Sequence, residues 1–461
     1  MKPESTRLTR YASTALCMIA QLLAPLLIQL PAKAAEFFFE KDPSLPLVYV
    51  TAAFRGGSAH DPDSKNGATQ MMGHLMLRGT KSKTKQQIDL ALDQMGASIG
   101  FETRAEFCAF RGSVLSENLP AFLSLLQEIL TSPSFRSQEL EKLRTEQISM
   151  LLNELNQDRS LVRLRFDEVF FKGHPYAKPN SGKIRDIQTL TVGDLQRHYQ
   201  NLVTSNNLIL LAAGDSSESD YASFLRVMNE KSNAGSTLSP VPEFRNAPSG
   251  TRIVIFDKPD RTQTQVLIGQ KGISFASKDL DALQVGNHAF GAGGFGARLM
   301  VELRVKRGWT YGAGSSFKLG SSPHSWKVGF FPKNADTPAA IREALRMIRD
   351  LKKNGITEEE FKASKQSILN SAGFAYNTPA KRMDNQLTEV VFNLPEGYFK
   401  DYADRVGKIS REEVNEALAR FLEPDQLMIG LVATASISKE SIAKELGIPE
   451  KFIEVQSYQK E

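Results

Sequence analysis

The chain has 461 residues, 41% of them hydrophobic and 24% charged, with a formal net charge of +5. That length and apolar content exceed one ordinary small domain and suffice for two substantial cores. The charge is too small and too evenly mixed for a basic nucleic-acid footprint, and beyond the N-terminal region no apolar run reaches membrane-spanning length.

The first 34 residues differ from the rest. Lys2, Arg7 and Arg10 make a positive start, and an apolar stretch runs from Tyr11 to Leu30. Pro31-Ala32-Lys33-Ala34 then sets small residues at the A-x-A positions. This pattern predicts a signal peptide over residues 1–34, cleaved before Ala35, and hence a periplasmic protein. An uncleaved membrane anchor is the competing reading; Gln21, Pro25 and Gln29 interrupt the stretch, and the cleavage pattern speaks against it. The segment carries four cations and one acid, so residues 35–461 hold +2 of the +5. No membrane attachment is expected after cleavage. Of the two cysteines, Cys17 lies in the signal, which leaves Cys108 alone and excludes an internal disulfide.

After a short lead-in, Leu45 to Phe54 is β-branched and aromatic, bounded by Pro and Gly-Gly, and predicts a strand. A polar turn region follows to Asn66. Lys85 to Met95 predicts a helix with Ile88, Leu90, Leu92 and Met95 on its apolar side and Gly96 as stop. Ser98 to Ser113 reads as paired strands, Leu119 to Leu130 as an amphipathic helix, and Ser137 to Asn156 as a longer helix. Ser160 to Phe171 continues in helical style. Thr191 caps a helix over Val192 to Leu202, and Leu208 to Gly214 is a buried strand. Residues 232–250 are rich in Ser, Asn, Gly and Pro without periodicity and predict a linker.

Three blocks of the first half recur in the second. Ser137 has its counterpart at Thr357, Thr191 at Ser410 and Leu208 at Leu427, at offsets of 219 or 220 residues. A nearly constant offset implies two similarly folded domains, 35–231 and 251–461. The expected class is α+β: two homologous domains, each a mostly antiparallel sheet with helices packed on one face.

The stretch from Gly67 to Thr80 carries the chemistry that can be read. An inverted zincin helix, H-x-x-E-H, puts two histidines on one helix face with a glutamate as general base. Aligning the closing Gly79-Thr80 places Gln70 at the first histidine, Gly73 at the glutamate and His74 at the second histidine. A catalytic zinc takes three protein ligands and a water, so this helix supplies too little. His74 alone reads as a relic, and no metal ligand set is assigned. Gly291 to Gly296 lacks the pattern of a phosphate loop and reads as a linking turn.

Taken in order, these blocks resemble the pitrilysin/insulinase-like zinc metallopeptidases, most closely the bacterial two-domain type akin to mitochondrial processing peptidase. The resemblance rests on Phe54-Arg-Gly-Gly-Ser with Asp61, Gly67 to Thr80, His174-Pro-Tyr with Gly182, and Asn206-Asn207 with Gly214-Asp215. The second half adds Gly291 to Leu299 and Leu303 to Tyr311. It implies a third ligand, a glutamate seven residues after Glu146; Asn153 stands there, and the adjacent Glu154 would point about 100° away. It also implies that Arg304 and Tyr311, seven apart, complete an active site by stabilising an oxyanion and gripping substrate carbonyls. By position alone they read as an amphipathic-helix arginine and a strand tyrosine, and only the resemblance makes them more. The strand of Phe101 and Thr103 would be the substrate-facing edge, to which an extended peptide adds, or else an ordinary core hairpin.

The resemblance therefore implies a non-zinc subunit of a heterodimeric metallopeptidase that binds and orients oligopeptides. Zinc is expected in a homologous partner subunit with an intact H-x-x-E-H motif, and none in this chain. The other class of reading is a non-catalytic peptide-binding chaperone or scaffold protein.

Overall fold

A computed structural model of the protein describes residues 35–231, 238–245 and 250–460; the signal segment and linker residues 232–237 and 246–249 lie outside them. Eleven strands among the described residues form two sheets. The first contains β1 (Glu36–Lys41), β2 (Leu47–Arg55), β3 (Ser98–Thr103), β4 (Phe107–Leu115) and β5 (Leu208–Gly214), in the order β1-β5-β2-β4-β3. The second contains β6 (Arg252–Asp257), β7 (Gln265–Lys271), β8 (Thr310–Lys318), β9 (Ser325–Pro332), β10 (Met428–Ala433) and β11 (Ile453–Ser457), in the order β11-β6-β10-β7-β9-β8.

The two orders match strand for strand, with β11 added outside β6. In each, one matching pair is parallel, β1 with β5 and β6 with β10, and the three pairs that follow are antiparallel; the added β11 also pairs parallel with β6. The lead-in before Leu45 is thus a strand. Phe37 and Phe39, its alternate residues, pack on Tyr221 at 5.2 and 5.9 Å between ring centroids.

Local chemistry explains the helix boundaries. Thr191 accepts from the backbone N–H of Asp194, whose carboxylate accepts from the backbone N–H of Thr191, so a capping box opens the helix Val192–Leu202. Ser410 does the same with Glu413 for the helix Arg411–Phe421. The helix Ser137–Asn156 lies where its periodicity placed it, with Leu140, Leu143 and Leu151 buried.

Each sheet has its own helices on one face, as the pattern predicts. The opposite faces are covered by exchange. The helix Asp158–Phe170 leaves the first half and lays Leu161, Val162, Phe166 and Phe170 on Val254, Phe256, Leu267, Met428 and Val432 of the second sheet. The helix Pro379–Val391 returns from the second half and sets Met383 and Leu387 on Ala53, Ala109, Ile209, Leu211 and Ala213 of the first. Both contacts need thin sheet surfaces. Ala53, Ala109 and Ala213 provide one. Gly269 and Gly430 provide the other: a Cβ at either would stand 2.8 or 2.9 Å from the Phe166 ring.

The described part of the linker is held as well. Phe244 is buried among Phe170, Phe171 and His174, with ring centroids at 5.4, 4.7 and 5.4 Å, and its backbone N–H donates to Ser322 Oγ at 2.9 Å.

Because each half closes the other's sheet, they should unfold together. Phe166→Ala is expected to cost about 3–5 kcal/mol. In urea its far-UV circular dichroism, which reports both halves, and its tryptophan fluorescence, which reports Trp309 and Trp326 of the second half, should move through one coincident transition. Two separated transitions would contradict reciprocal closure.

Candidate functional site

The degenerate zinc helix is Ala68–Met76. Its N-terminus starts from Gly67, whose φ of 101° lies in the left-handed region that glycine tolerates. No neighbouring side chain in the usual capping position serves it; Asp61 does so from the preceding loop. The Asp61 carboxylate accepts from Gly67 N–H at 2.7 Å, Thr69 N–H at 2.8 Å and the Thr69 hydroxyl at 2.7 Å. With its proton given to Asp61, Thr69 Oγ1 is left to accept from Nε2 of buried His198, 2.9 Å away. Burial pushes Asp61 up to about 6 against those hydrogen bonds, and burial brings His198 down to about 4.

The three motif positions then have clear fates. Gln70 Oε1 accepts a hydrogen bond of 2.7 Å from the Thr103 hydroxyl. At Gly73 the space a glutamate stem would need is filled: a Cβ there would stand only 2.1 Å from the Phe101 ring. Phe101 is only 9% exposed and packs on Phe110 with the rings tilted and their centroids 4.7 Å apart. His74 meets the same ring edge-on at 5.7 Å, and burial, followed by the charge of Arg78, lowers its pKa.

Further along, Arg78 is ion-paired with Glu146 and Glu139 of the helix Ser137–Asn156. Asn153 is exposed on that helix, and Glu154 instead accepts from the Ser181 hydroxyl at 3.3 Å. The donor set therefore does not fit a catalytic zinc: one amide is spent, one side chain is absent with an aromatic ring in its place, and one histidine is half-buried beside that ring.

Of the two readings of the strand of Phe101 and Thr103, this geometry matches the core hairpin. Phe101 is a core residue that plugs the motif, and the Thr103 hydroxyl is spent on Gln70. Neither side chain is presented to a peptide. What β3 keeps is its position at the end of the sheet, where its outer backbone edge has no strand neighbour among the described residues.

Arg304 and Tyr311 are presented quite differently. A short helix, Arg298–Met300, runs into a wider π-type turn, Val301–Lys306. Arg298 anchors it, its Nε 2.8 Å from Glu360 Oε1 and a second nitrogen 3.0 Å from the Gly355 carbonyl oxygen. A turn at Gly308, φ 65°, leads into β8, where pairing with β9 is irregular between Thr310 and Ala313. Tyr311 sits in that irregularity and is 73% exposed.

Arg304 has no hydrogen-bonding or ion-pair partner among the described residues; its guanidinium lies 4.7 Å over the ring of Phe295, itself 68% exposed. Tyr311 likewise has no polar partner among them. Phe295 escaped the sequence reading; an aromatic residue inside the run Gly291 to Gly296 was the available signal.

Two family models match successive parts of the chain. One, described as insulinase (peptidase family M16), covers residues 37–182; the other, described as peptidase M16 inactive domain, covers residues 189–368. The chain belongs to the insulinase, or M16, peptidase family. As a family member it is similar to a Helicobacter pylori protein named "Non-peptidase homolog YmxG", 22% identical over 87% of this chain and 92% of that one. It is also similar to a Bacillus subtilis protein named "Uncharacterized zinc protease YmxG", 20% identical over 86% of this chain and 95% of that one. In fold it matches the crystal structure of a peptidase M16 inactive domain from Pseudomonas fluorescens, with a TM-score of 0.80 at 22% identity over 87% of this chain and 96% of that one. The first family match contains the altered helix of this M16 member, and the second contains Arg304 and Tyr311.

The Phe101 plug makes motif repair a test of the site. Gly73→Glu alone should destabilise the protein by overpacking, by roughly 1–3 kcal/mol, and Phe101→Ala in the same chain should recover most of that loss. Additive effects of the two substitutions in urea unfolding would show that the ring does not occupy the glutamate's space.

Proposed function

We propose that this chain is the non-zinc subunit of a secreted, periplasmic heterodimeric zinc metallopeptidase. It binds and orients oligopeptides and supplies Arg304 and Tyr311 to the active site of a homologous partner. The partner carries an intact H-x-x-E-H helix and the zinc ion, which polarises water for attack on the peptide carbonyl. The observation that supports this most is the contrast between the two halves. The chain's own motif is packed shut by Phe101, whereas Tyr311 stands in solvent and half-exposed Arg304 lies over Phe295, the polar groups of both side chains unspent among the described residues.

Attack on a peptide carbonyl turns its oxygen into an oxyanion. A phenol proton from Tyr311 is suited to donate to that oxygen, and a bond of this kind matters most when charge develops, so it acts on kcat. Arg304 is suited to grip a neighbouring carbonyl of the substrate through two parallel N–H groups. Its face stays against Phe295, which limits the rotamers it can lose on binding.

A non-catalytic peptide-binding scaffold is the second reading. Its support is the similarity to a protein named as a non-peptidase homologue.

Purified alone, the protein should hold no stoichiometric zinc and cleave no quenched-fluorescent peptide. Co-purified with a secreted homologue bearing H-x-x-E-H, activity should appear, and Tyr311→Phe should lower kcat about tenfold or more. Zinc-dependent cleavage by the isolated chain would overturn the proposal, and binding without turnover in every combination would establish the scaffold.

A further inference from the structure

The exchanged helix Asp158–Phe170 leaves a groove on the second sheet that nothing above uses. One wall is that helix, which turns Arg159, Val162, Arg163 and Asp167 toward the groove. The floor is β8 and β9, with Gly312, Gly314 and Gly329; Phe331 stands over Gly312, its ring 3.2 Å from where a Cβ would sit, and Met300 also lines the groove. The cavity measures about 790 Å³.

Its charge is one-sided. Lys327 and Lys318 both lean on one acid: Asp167 is ion-paired with Lys327 and lies 3.8 Å from Lys318 Nζ. Arg159 and Arg163, one helical turn apart, have no ion-pair or hydrogen-bond partner among the described residues. Four cations thus line a groove with one carboxylate. Burial lowers the pKa of Lys327 and Asp167 raises it, while Lys318 and Arg163 push it down again, as expected where like charges crowd.

The first sheet has a groove in the matching place, beside the helix Pro379–Val391, and there the charges are balanced. Arg111 is ion-paired with both Glu102 and Asp384. The excess of cations is therefore a property of this one groove and not of the fold.

Strand β8 is the end strand of its sheet, and the middle of its edge is covered: Asn287 Nδ2 donates to the Ser315 carbonyl oxygen at 3.4 Å, and Gly291 stands against the Ser315 backbone. A bound peptide therefore lies on the groove face of β8 and β9, within reach of the cations that line it, and not paired at the outer edge. Tyr311 begins the same strand.

We infer that the groove between β8, β9 and the helix Asp158–Phe170 binds acidic peptides, with Arg159 and Arg163 as the residues that select negative side chains. The inference names the peptide class for the subunit proposed above and rests on that reading only for its use. The binding belongs to this chain alone, so its failure and the failure of the Tyr311 test are separate results.

The test is fluorescence anisotropy with the purified mature chain and three labelled decapeptides of one apolar framework, carrying Glu, Ser or Lys at alternate positions. The Glu peptide should bind about tenfold tighter than the Ser peptide, and the Lys peptide weakest; added salt should narrow the difference. Arg159→Glu with Arg163→Glu should remove the preference at unchanged thermal stability, since both side chains are exposed. Arg159→Lys with Arg163→Lys should retain most of it. Equal affinity for the three peptides, or a preference that survives charge reversal, would overturn the inference. So would competition by an oligonucleotide of equal charge as effective as that of the Glu peptide, which would mark a general polyanion surface.

Discussion

The fold depends on a single exchange: each sheet borrows the cover for its second face from the other half. Phe166 is the sharpest instance. It comes from the first half, is fully buried, and rests in a dent that exists because residues 269 and 430 of the second half are glycines. Met383 and Leu387 return the favour on a patch of alanines. Without these contacts both central strands, β5 and β10, would show water an apolar face, which neither half can hide alone. The exchange sets the two halves in one relative position, and with it the places of β3 and β8, the end strands on which the altered motif and Tyr311 depend. Phe244 adds a clamp on the described linker, so the connection is held where composition alone suggested a loose tether.

Within that frame the two halves have gone different ways. In the first, the helix that would carry a zinc site is well made. Asp61 caps it, Thr69 and His198 brace the cap, and Met71, Met72, Leu75 and Met76 are buried beneath it. Its metal-facing positions have been recruited into packing. The loss of a carboxylate at Gly73 and the presence of Phe101 are one change seen from two sides, because the ring occupies what the carboxylate vacated. In the second half the corresponding investment is outward. Arg298 fixes the helix that presents Arg304, and Phe295 holds the guanidinium by its face while leaving its edge free.

Much of this was legible in the chain itself, and what was legible was local. Capping boxes at Thr191 and Ser410 join residues three apart, composition marked β2 and β5, and the helix Ser137–Asn156 declared itself by its period. The repeat was legible too, because it preserves spacing. What escaped needed distant partners. Nothing near Phe166 says that its seat lies at Gly269 and Gly430. Phe101 could be read as substrate edge or as core, since its relation to Gly73 exists only when β3 folds back over the helix. Thr103 was open for the same reason, its hydroxyl committed to Gln70 across that contact. The run Phe37-Phe38-Phe39 passed for a lead-in because its partner strand, β5, lies about 170 residues on.

The central claim is spatial: the exposed end of the second half faces a partner's zinc helix while this chain's own motif stays shut. Photocrosslinking from position 295 tests it most directly. Phe295 would be replaced by a benzophenone-bearing amino acid in the complex with an H-x-x-E-H homologue, and the crosslinked peptide sequenced. The account expects a crosslink to the partner peptide that carries or adjoins the motif. A crosslink confined to this chain, or to a part of the partner remote from its motif, would contradict it.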